Sequence, residues 1–278
     1  MFSYTMLKSV KLVTMTNLTL FFSSINVCIK LSFRNIMSLH MIEIKGFTMN
    51  HLHIFLLAGV QTKDSAFNTL TKRLNELCAK KDIQTSIQML YPYGDYTRKL
   101  WKQVLDICID FNFVTKRAGL GGQRINQQLE KSTINQDSKF LLIGHSGGGV
   151  AAYRWARFLH YHYQLDLDQL RVVQIGSPKI RVSPHFQKQL AYIQAVDEQG
   201  MPKDPITKIG YWGGLHLNNV DKKGWNSQKY APSNVHSIPL IGGHADYFRV
   251  NPPFVDVNQQ SNLDYTFNAI ENWLNEWI

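Results

Sequence analysis

The chain is poor in cysteine. Cys28, Cys78 and Cys108 are the three in 278 residues, widely spaced and without a Cys-x-x-Cys pair. An odd, scattered set excludes a disulfide framework and a cysteine-built zinc site. Cys78 and Cys108 fall on apolar faces of helical pattern and are expected as small buried hydrophobes. Carboxylates are also few, 20 against 30 lysines and arginines, for a formal net charge of +10. Such a balance suits nucleic acid, an anionic membrane surface or an acidic partner. Yet the sequence has no block of five basic residues and no zinc-finger or basic-zipper spacing, so no nucleic-acid partner is expected. No short period recurs, which excludes a solenoid or propeller. With 44% hydrophobic and 18% charged residues, the chain can build a packed core and is not globally disordered.

The basic excess is uneven. The first fifty residues hold Lys8, Lys11, Lys30, Arg34 and Lys45 against Glu43 alone, which accounts for +4 of the total. Within them residues 12–29 are uncharged and long enough for a membrane span, but Thr14, Thr16, Asn17, Thr19, Ser23, Ser24 and Asn26 dilute the apolar content. As a signal peptide the segment has only a weak apolar region at 18–22 and no clear small-x-small cleavage site. Asn17-Leu18-Thr19 is a glycosylation sequon in form. Met49 stands just before a strong strand pattern and is a candidate start alongside Met6, Met15, Met37 and Met41. Residues 1–48 are therefore read as a basic N-terminal extension, a leader or non-native upstream segment, and residues 49–278 as the folded domain.

From Met49 onward strand and helix patterns alternate. Residues 51–57 form a largely apolar run ending in Ala58-Gly59, as expected of a buried parallel strand. Residues 65–80 carry Phe67, Leu70, Leu74, Leu77 and Cys78 at helical spacing, with Asp64 or Ser65 as cap. A strand at 85–90 closes in Tyr91-Pro92-Tyr93-Gly94, and Leu100, Trp101, Val104, Leu105 and Cys108 mark another helix. Gly119-Leu120-Gly121-Gly122 reads as a break before a polar helix over 123–131. Further strands are expected at 140–143, 170–175, 191–195 and 235–240, with helices at 150–161 and 262–278. This alternation predicts a three-layer α/β/α sandwich with a mostly parallel sheet. Functional loops then belong at the carboxyl ends of the strands.

Directly after the 140–143 strand stands Gly144-His145-Ser146-Gly147-Gly148, a Gly-x-Ser-x-Gly pattern between strand and helix. A turn this tight strains the serine backbone and leaves no room for side chains beside it. Ser146 Oγ would project at the top of the sheet, above a helix N-terminus that favours developing negative charge. A phosphate-binding turn is the alternative, disfavoured because no Lys-Ser or Lys-Thr pair follows. Together with Val173-Gln174-Ile175-Gly176-Ser177-Pro178, the pattern resembles the α/β-hydrolase superfamily. Within it the chain is similar to the fungal-type (class 3) lipase-like serine hydrolases, in which a Gly-Ser-Pro turn follows the next strand after the nucleophile. The resemblance covers most of residues 49–278 and implies an α/β-hydrolase catalytic domain there, with Ser146 as nucleophile.

A serine nucleophile needs a histidine base, and the base needs an orienting carboxylate. In this superfamily the chain order is serine, acid, histidine. Asp197 ends the strand around 191–195 and is the expected acid, ahead of Asp204 and then Glu198. His244 lies in the glycine-rich stretch Ile241-Gly242-Gly243-His244 after a short strand and is the expected base, ahead of His236. His145 is expected to be a packed or substrate-facing side chain. The expected oxyanion donors are the backbone N–H of Gly147 and that of Val60 or Gln61, in a loop where Ala58-Gly59 replaces the usual His-Gly.

The resemblance implies cleavage of a carboxylic ester through an acyl-enzyme on Ser146, an esterase or lipase-like activity of the EC 3.1.1 class. A thioesterase or acyltransferase on the same triad, or a non-catalytic binding protein of the same fold, are the alternatives, because a triad does not choose its acyl group. No cofactor and no metal is expected, since His51 with His53 and His160 with His162 lack a third ligand at metal-site spacing. The expected partner is a small-molecule or lipid ester, with membrane contact through residues 1–48. Loops at 91–99, 112–122 and 198–234 are candidates for a cap. The aromatic residues of the last, Tyr211, Trp212, Trp225 and Tyr230, either line an acyl pocket or simply pack. The expected location is the cytoplasm, or a membrane or the exterior if residues 1–48 act as anchor or signal.

Overall fold

The computed structural model describes residues 17–21, 28–32, 51–112, 117–129, 134, 137–217 and 223–278. The chain divides into two units, Met1–Thr48 and Met49–Ile278. In the first, β1 (Asn17–Phe21) and β2 (Cys28–Ser32) pair antiparallel. The anchor, signal and extension readings of residues 1–48 otherwise fall outside the described residues. Among the described residues no helix is long and apolar enough to cross a membrane.

The second unit is organised by one sheet. Its chain supplies β3 (His51–Leu57), β4 (Gln84–Leu90), β5 (Lys139–His145), β6 (Leu170–Ile175) and β7 (Leu190–Val196). An antiparallel hairpin of β8 (Gly214–Leu217) and β9 (Lys223–Asn226) follows, then β10 (Asn234–Pro239). The sheet order is β10-β7-β6-β5-β3-β4, parallel throughout. The helices are α1 (Asn68–Lys80), α2 (Leu100–Asn112), α3 (Gly119–Gln128), α4 (Gly147–Tyr163) and α5 (Asn262–Leu274).

The two-residue period of the strands sorts the core. Leu52, Ile54, Leu56, Leu141 and Ile143 pack with Leu70 and Leu74 of α1 and Phe267 and Ile270 of α5. Phe55, Leu57, Phe140 and Leu142 point the other way, onto Ile125 of α3 and Val150, Trp155 and Leu159 of α4. Sheet residues are thus buried on both faces, which is why the strands read as continuous apolar runs. This is the three-layer α/β/α sandwich with a parallel sheet that the alternation of patterns predicts.

Three local expectations are corrected. The first helix opens with a 3₁₀ turn at Asp64–Phe67, and its α-helical part starts at Asn68 without a side-chain cap. The Gly-Leu-Gly-Gly run is not a break but the first turn of α3. Asp110 accepts from the backbone of Leu120 and Gly121 at 2.8 Å each, and a Cβ on Gly121 would sit 3.1 Å from both Ala151 and Tyr93, so the glycines let α3 lie close to α4.

The third correction concerns α2, which is turned inside out. Gln103, Asp106 and Asp110 are buried, while Trp101, Val104 and Leu105 are exposed. Cys108 is exposed too, whereas Cys78 is buried as expected. The cause is polar pairing. Asp106 meets Arg98 at 2.7 Å and Arg124 at 2.8 Å, and Asp110 receives the α3 N–H groups and the Tyr93 hydroxyl at 3.1 Å. Buried charges must be paired, and these partners lie inward.

Candidate active site

β5 runs into α4 with Ser146 alone between them. Its backbone sits at φ 56°, ψ −129°, a region that L residues avoid at a cost on the order of 1–3 kcal/mol. Ser146 N–H donates to Ile175 O at 2.9 Å and Gly149 N–H to Ser146 O at 3.1 Å, which hold the turn. The flanking glycines are required by close approach. A Cβ on Gly144 would lie 2.3 Å from Gly148 O, and one on Gly148 would lie 2.1 Å from Leu57 O. Gly59, in the loop after β3, packs on the serine itself, where a Cβ would come within 2.8 Å of Ser146 Cβ. Ser146 is 8% exposed. With His145, His244, Val60 and Gln61 it lines a cavity of about 780 Å³.

The structure pairs His244 with Asp204, not with Asp197. His244 Nδ1–H donates to Asp204 Oδ2 at 2.8 Å. Asp197 is exposed and closes its own turn, accepting from the N–H of Gln199 at 3.0 Å and Met201 at 2.8 Å. Glu198 is exposed in the same turn. The physical reason is a chain reversal. Val196 bridges antiparallel to Pro202, and Lys203 N–H returns to Ala195 O at 2.9 Å. Asp204 is thereby carried back to the carboxyl edge of the sheet. Its Oδ1 caps the 3₁₀ turn Pro205–Lys208 through Ile206 N–H at 2.9 Å. The Asp204-Pro205 pair is the local signal of that cap. His236 lies within β10 opposite Ile193, with its pKa lowered by burial.

Asp204 is 2% exposed. Burial raises its pKa, but the hydrogen bond and charge of His244, the Ile206 N–H and the Tyr247 hydroxyl outweigh it, and the net direction is below the ordinary 3.8. Tyr247 donates to Asp204 Oδ2 at 3.0 Å and accepts from Ala195 N–H at 3.0 Å. Burial, then the Asp204 charge, pushes the Tyr247 phenol up, so it stays a donor. Gly176 makes room for this group. It adopts φ 53°, and a Cβ there would lie 2.7 Å from the Tyr247 ring and 2.8 Å from Asp204 Oδ2.

His145 is packed, as expected, but not idly. Its ring stacks on His244 at 4.8 Å between centroids, and its Nε2–H donates to the His244 carbonyl at 3.0 Å. Burial, then the neighbouring His244, lowers its pKa to about 4. A neutral ring therefore anchors the loop that carries His244.

Of the expected oxyanion donors, Gly147 opens α4, where the first N–H groups have no intrahelical partner. Gln61 is corrected. Its N–H is spent on Gln103 Oε1 at 3.1 Å, and its side chain donates to Arg98 O at 2.9 Å. Gln103 in turn donates to Asp95 O at 2.7 Å and Arg98 O at 2.9 Å. Gln61 is held at φ 52°. Val60 N–H has no hydrogen-bond partner among the described residues.

The cavity walls come from residues 60–69 and 244–254, among them Phe67, Phe248, Phe254, Lys63 and Asn251. The described residues of the 198–234 segment supply none of them. Tyr211 and Trp225 are exposed, and Trp212 packs against Tyr192. Among the described residues no group of three His, Cys, Asp or Glu side chains is arranged to hold a metal ion.

The sequence matches no protein-family model and no curated protein sequence. Among solved structures, one that is similar is a cutinase-like protein from Cryptococcus sp., 15% identical, with 82% of this chain and 95% of that chain covered and a TM-score of 0.36. Another is YbtT, a type II thioesterase from the yersiniabactin NRPS/PKS biosynthetic pathway, 12% identical, with 82% and 94% covered and a TM-score of 0.41. At these identities the chain is similar to them in fold alone.

Proposed function

We propose that the chain is a serine hydrolase that cleaves a carboxylic ester through an acyl-enzyme on Ser146, with His244 as base and Asp204 as the orienting acid. The observation that carries this reading is that His244, bonded to the buried Asp204 at 2.8 Å, lines the same cavity as the strained Ser146. The ionised Asp204 accepts a hydrogen bond from His244 Nδ1–H, which leaves His244 Nε2 free to take the proton of Ser146 Oγ. Oγ attacks the carbonyl carbon. The oxyanion is held by Gly147 N–H and Val60 N–H. Collapse expels the alcohol, which takes its proton from His244, and water then cleaves the acyl-enzyme by the same route. A cavity with both apolar and polar walls suits an ester of mixed character.

The test is labelling with a fluorophosphonate probe, with Ser146→Ala as control. Labelling of the wild type and not of the variant is expected, and a folded wild type that stays unlabelled refutes the reading. A p-nitrophenyl ester series of increasing acyl length, run against matching thioesters, then separates esterase from lipase and from thioesterase.

A further inference from the structure

The outward face of α2 is apolar over three turns. Trp101 is 62% exposed, Leu105 is 52% exposed, and Leu100, Val104 and Ile109 lie beside them. These positions recur at i, i+4 and i+8, a complete apolar stripe that faces solvent instead of the core. A second exposed group stands on and beside the β8–β9 hairpin: Tyr211, Leu215 and Trp225, the last 59% exposed. The chain that enters the second group meets the end of α2. A Cβ on Gly210 would lie 2.5 Å from the ring of Phe111, at the end of α2. An apolar surface of this extent on a folded unit marks a binding face.

Charge identifies the occupant. Within the described stretches 100–112, 208–217 and 223–230 the carboxylates are Asp106 and Asp110, and both are buried. The cations lie at the apolar face. Lys102 sits over the Trp101 ring at 5.5 Å, Arg181 over Tyr211 at 4.7 Å, and Lys229 over Tyr230 at 5.3 Å. Lys99 and Lys208 are exposed nearby. Asp95, four residues before Lys99, is bonded to Thr97; tryptophan, tyrosine and leucine fringed by an excess of lysine and arginine is the pattern of a surface that enters the headgroup region of an anionic bilayer. We propose that the outer face of α2 and the β8–β9 hairpin dock this protein on an anionic lipid surface.

The face is coupled to the candidate active site by position. Gln61, which lines the cavity, is bonded to Arg98 and Gln103 at the start of α2, and Ile107 packs on Gly147. The loop that carries Val60 and Gln61 thus rests on the inner side of the helix whose outer face docks. The inference does not rest on the assignment of Ser146. A Ser146→Ala chain is expected to bind lipid like the wild type, so failure of the hydrolase reading leaves it standing.

The experiment is co-sedimentation of the full chain with phosphatidylcholine vesicles, with and without phosphatidylglycerol. Binding to the mixed vesicles is expected, about tenfold or more above pure phosphatidylcholine, and weakened by salt. Trp101→Glu with Leu105→Glu should reduce it by about tenfold or more, with an unchanged melting temperature because both side chains are exposed. Trp225→Glu alone should reduce it less and provides an independent readout. The proposal is overturned if the wild type ignores mixed vesicles, or if these variants bind like the wild type. It is equally overturned if lipid-free wild type is a dimer that the double variant converts to monomer, for then a second copy covers the face.

Discussion

Replacing Asp204 by asparagine separates the two carboxylates that compete for the role of acid. Three donors converge on this side chain: His244 Nδ1–H and the Tyr247 hydroxyl on Oδ2, and Ile206 N–H on Oδ1. An amide of the same shape has one acceptor oxygen. With its oxygen toward His244, its NH₂ opposes Ile206 N–H. Reversed, it opposes both His244 and Tyr247 and drives the imidazole toward the tautomer whose Nε2 carries the proton and takes none from Ser146. In either orientation the imidazolium formed during attack loses its counter-charge, the buried Asp204 carboxylate. A pair of opposite charges about 4 Å apart at the effective dielectric of a protein is worth about 4 kcal/mol. The expected loss in kcat is therefore about 10³- to 10⁴-fold, equivalent to about 4–5.5 kcal/mol. It should be read on a p-nitrophenyl ester and, independently, in the rate of fluorophosphonate labelling. KM should change little, because Asp204 does not line the cavity. Asp197→Asn is the control. Its exposed carboxylate serves only its own turn, so kcat should stay within about twofold and stability should fall by about 1 kcal/mol at most. A crippled Asp197→Asn beside an Asp204→Asn enzyme that retains most of its activity would refute the reasoning.

Three further outcomes are expected. His145 is held near a pKa of about 4 against an ordinary 6.5, so the unfolded chain takes up its proton first. The stability that this residue contributes is complete above pH 6.5 and is lost as pH falls toward 4, on the order of 3 kcal/mol. Urea midpoints across that range should show the slope, and His145→Phe should flatten it. Tyr247→Phe leaves Ala195 N–H without its acceptor and removes one donor from Asp204. It should cost about 1–3 kcal/mol in thermal unfolding and lower kcat far less than Asp204→Asn. Gln103→Leu frees Gln61 N–H from its partner and loosens the loop that carries Val60. A fall in kcat of about tenfold with a smaller change in KM is expected, and unchanged kinetics would remove Val60 from the oxyanion site.

The inside-out orientation of α2 shows how far a pattern reaches. Leu100, Trp101, Val104, Leu105 and Cys108 mark a helix correctly, because helical spacing is a local property of the chain. Which side of that helix faces inward is not local. It was decided by Arg98, Arg124, Tyr93 and the α3 backbone, which offer partners to Asp106 and Asp110. A burial preference read from side-chain polarity assigns the opposite face, and with it the opposite exposure for Cys108. The same limit applies further on, where Tyr211 and Trp225 are exposed, Trp212 is buried against Tyr192, and none of the three lines the cavity.

Adjacent residues decide the features that were legible along the chain. The alternation of periods sets strand against helix, and with it the parallel sandwich. The glycines around Ser146 specify a turn that only a strained serine completes, since any larger neighbour collides with Leu57 or Gly148. The glycine-rich stretch at 241–244 marks His244. Which distant groups meet around these residues depends on the folded chain. Asp197 ends the strand, but a reversal of a few residues turns its carboxylate onto its own turn and brings Asp204 to His244 instead. Gln103 takes Gln61 N–H from forty-two positions away, and His145 finds the His244 carbonyl across ninety-nine. Such pairings depend on how loops return to the sheet, and that path is set by the packing of the whole domain, not by any window of neighbours.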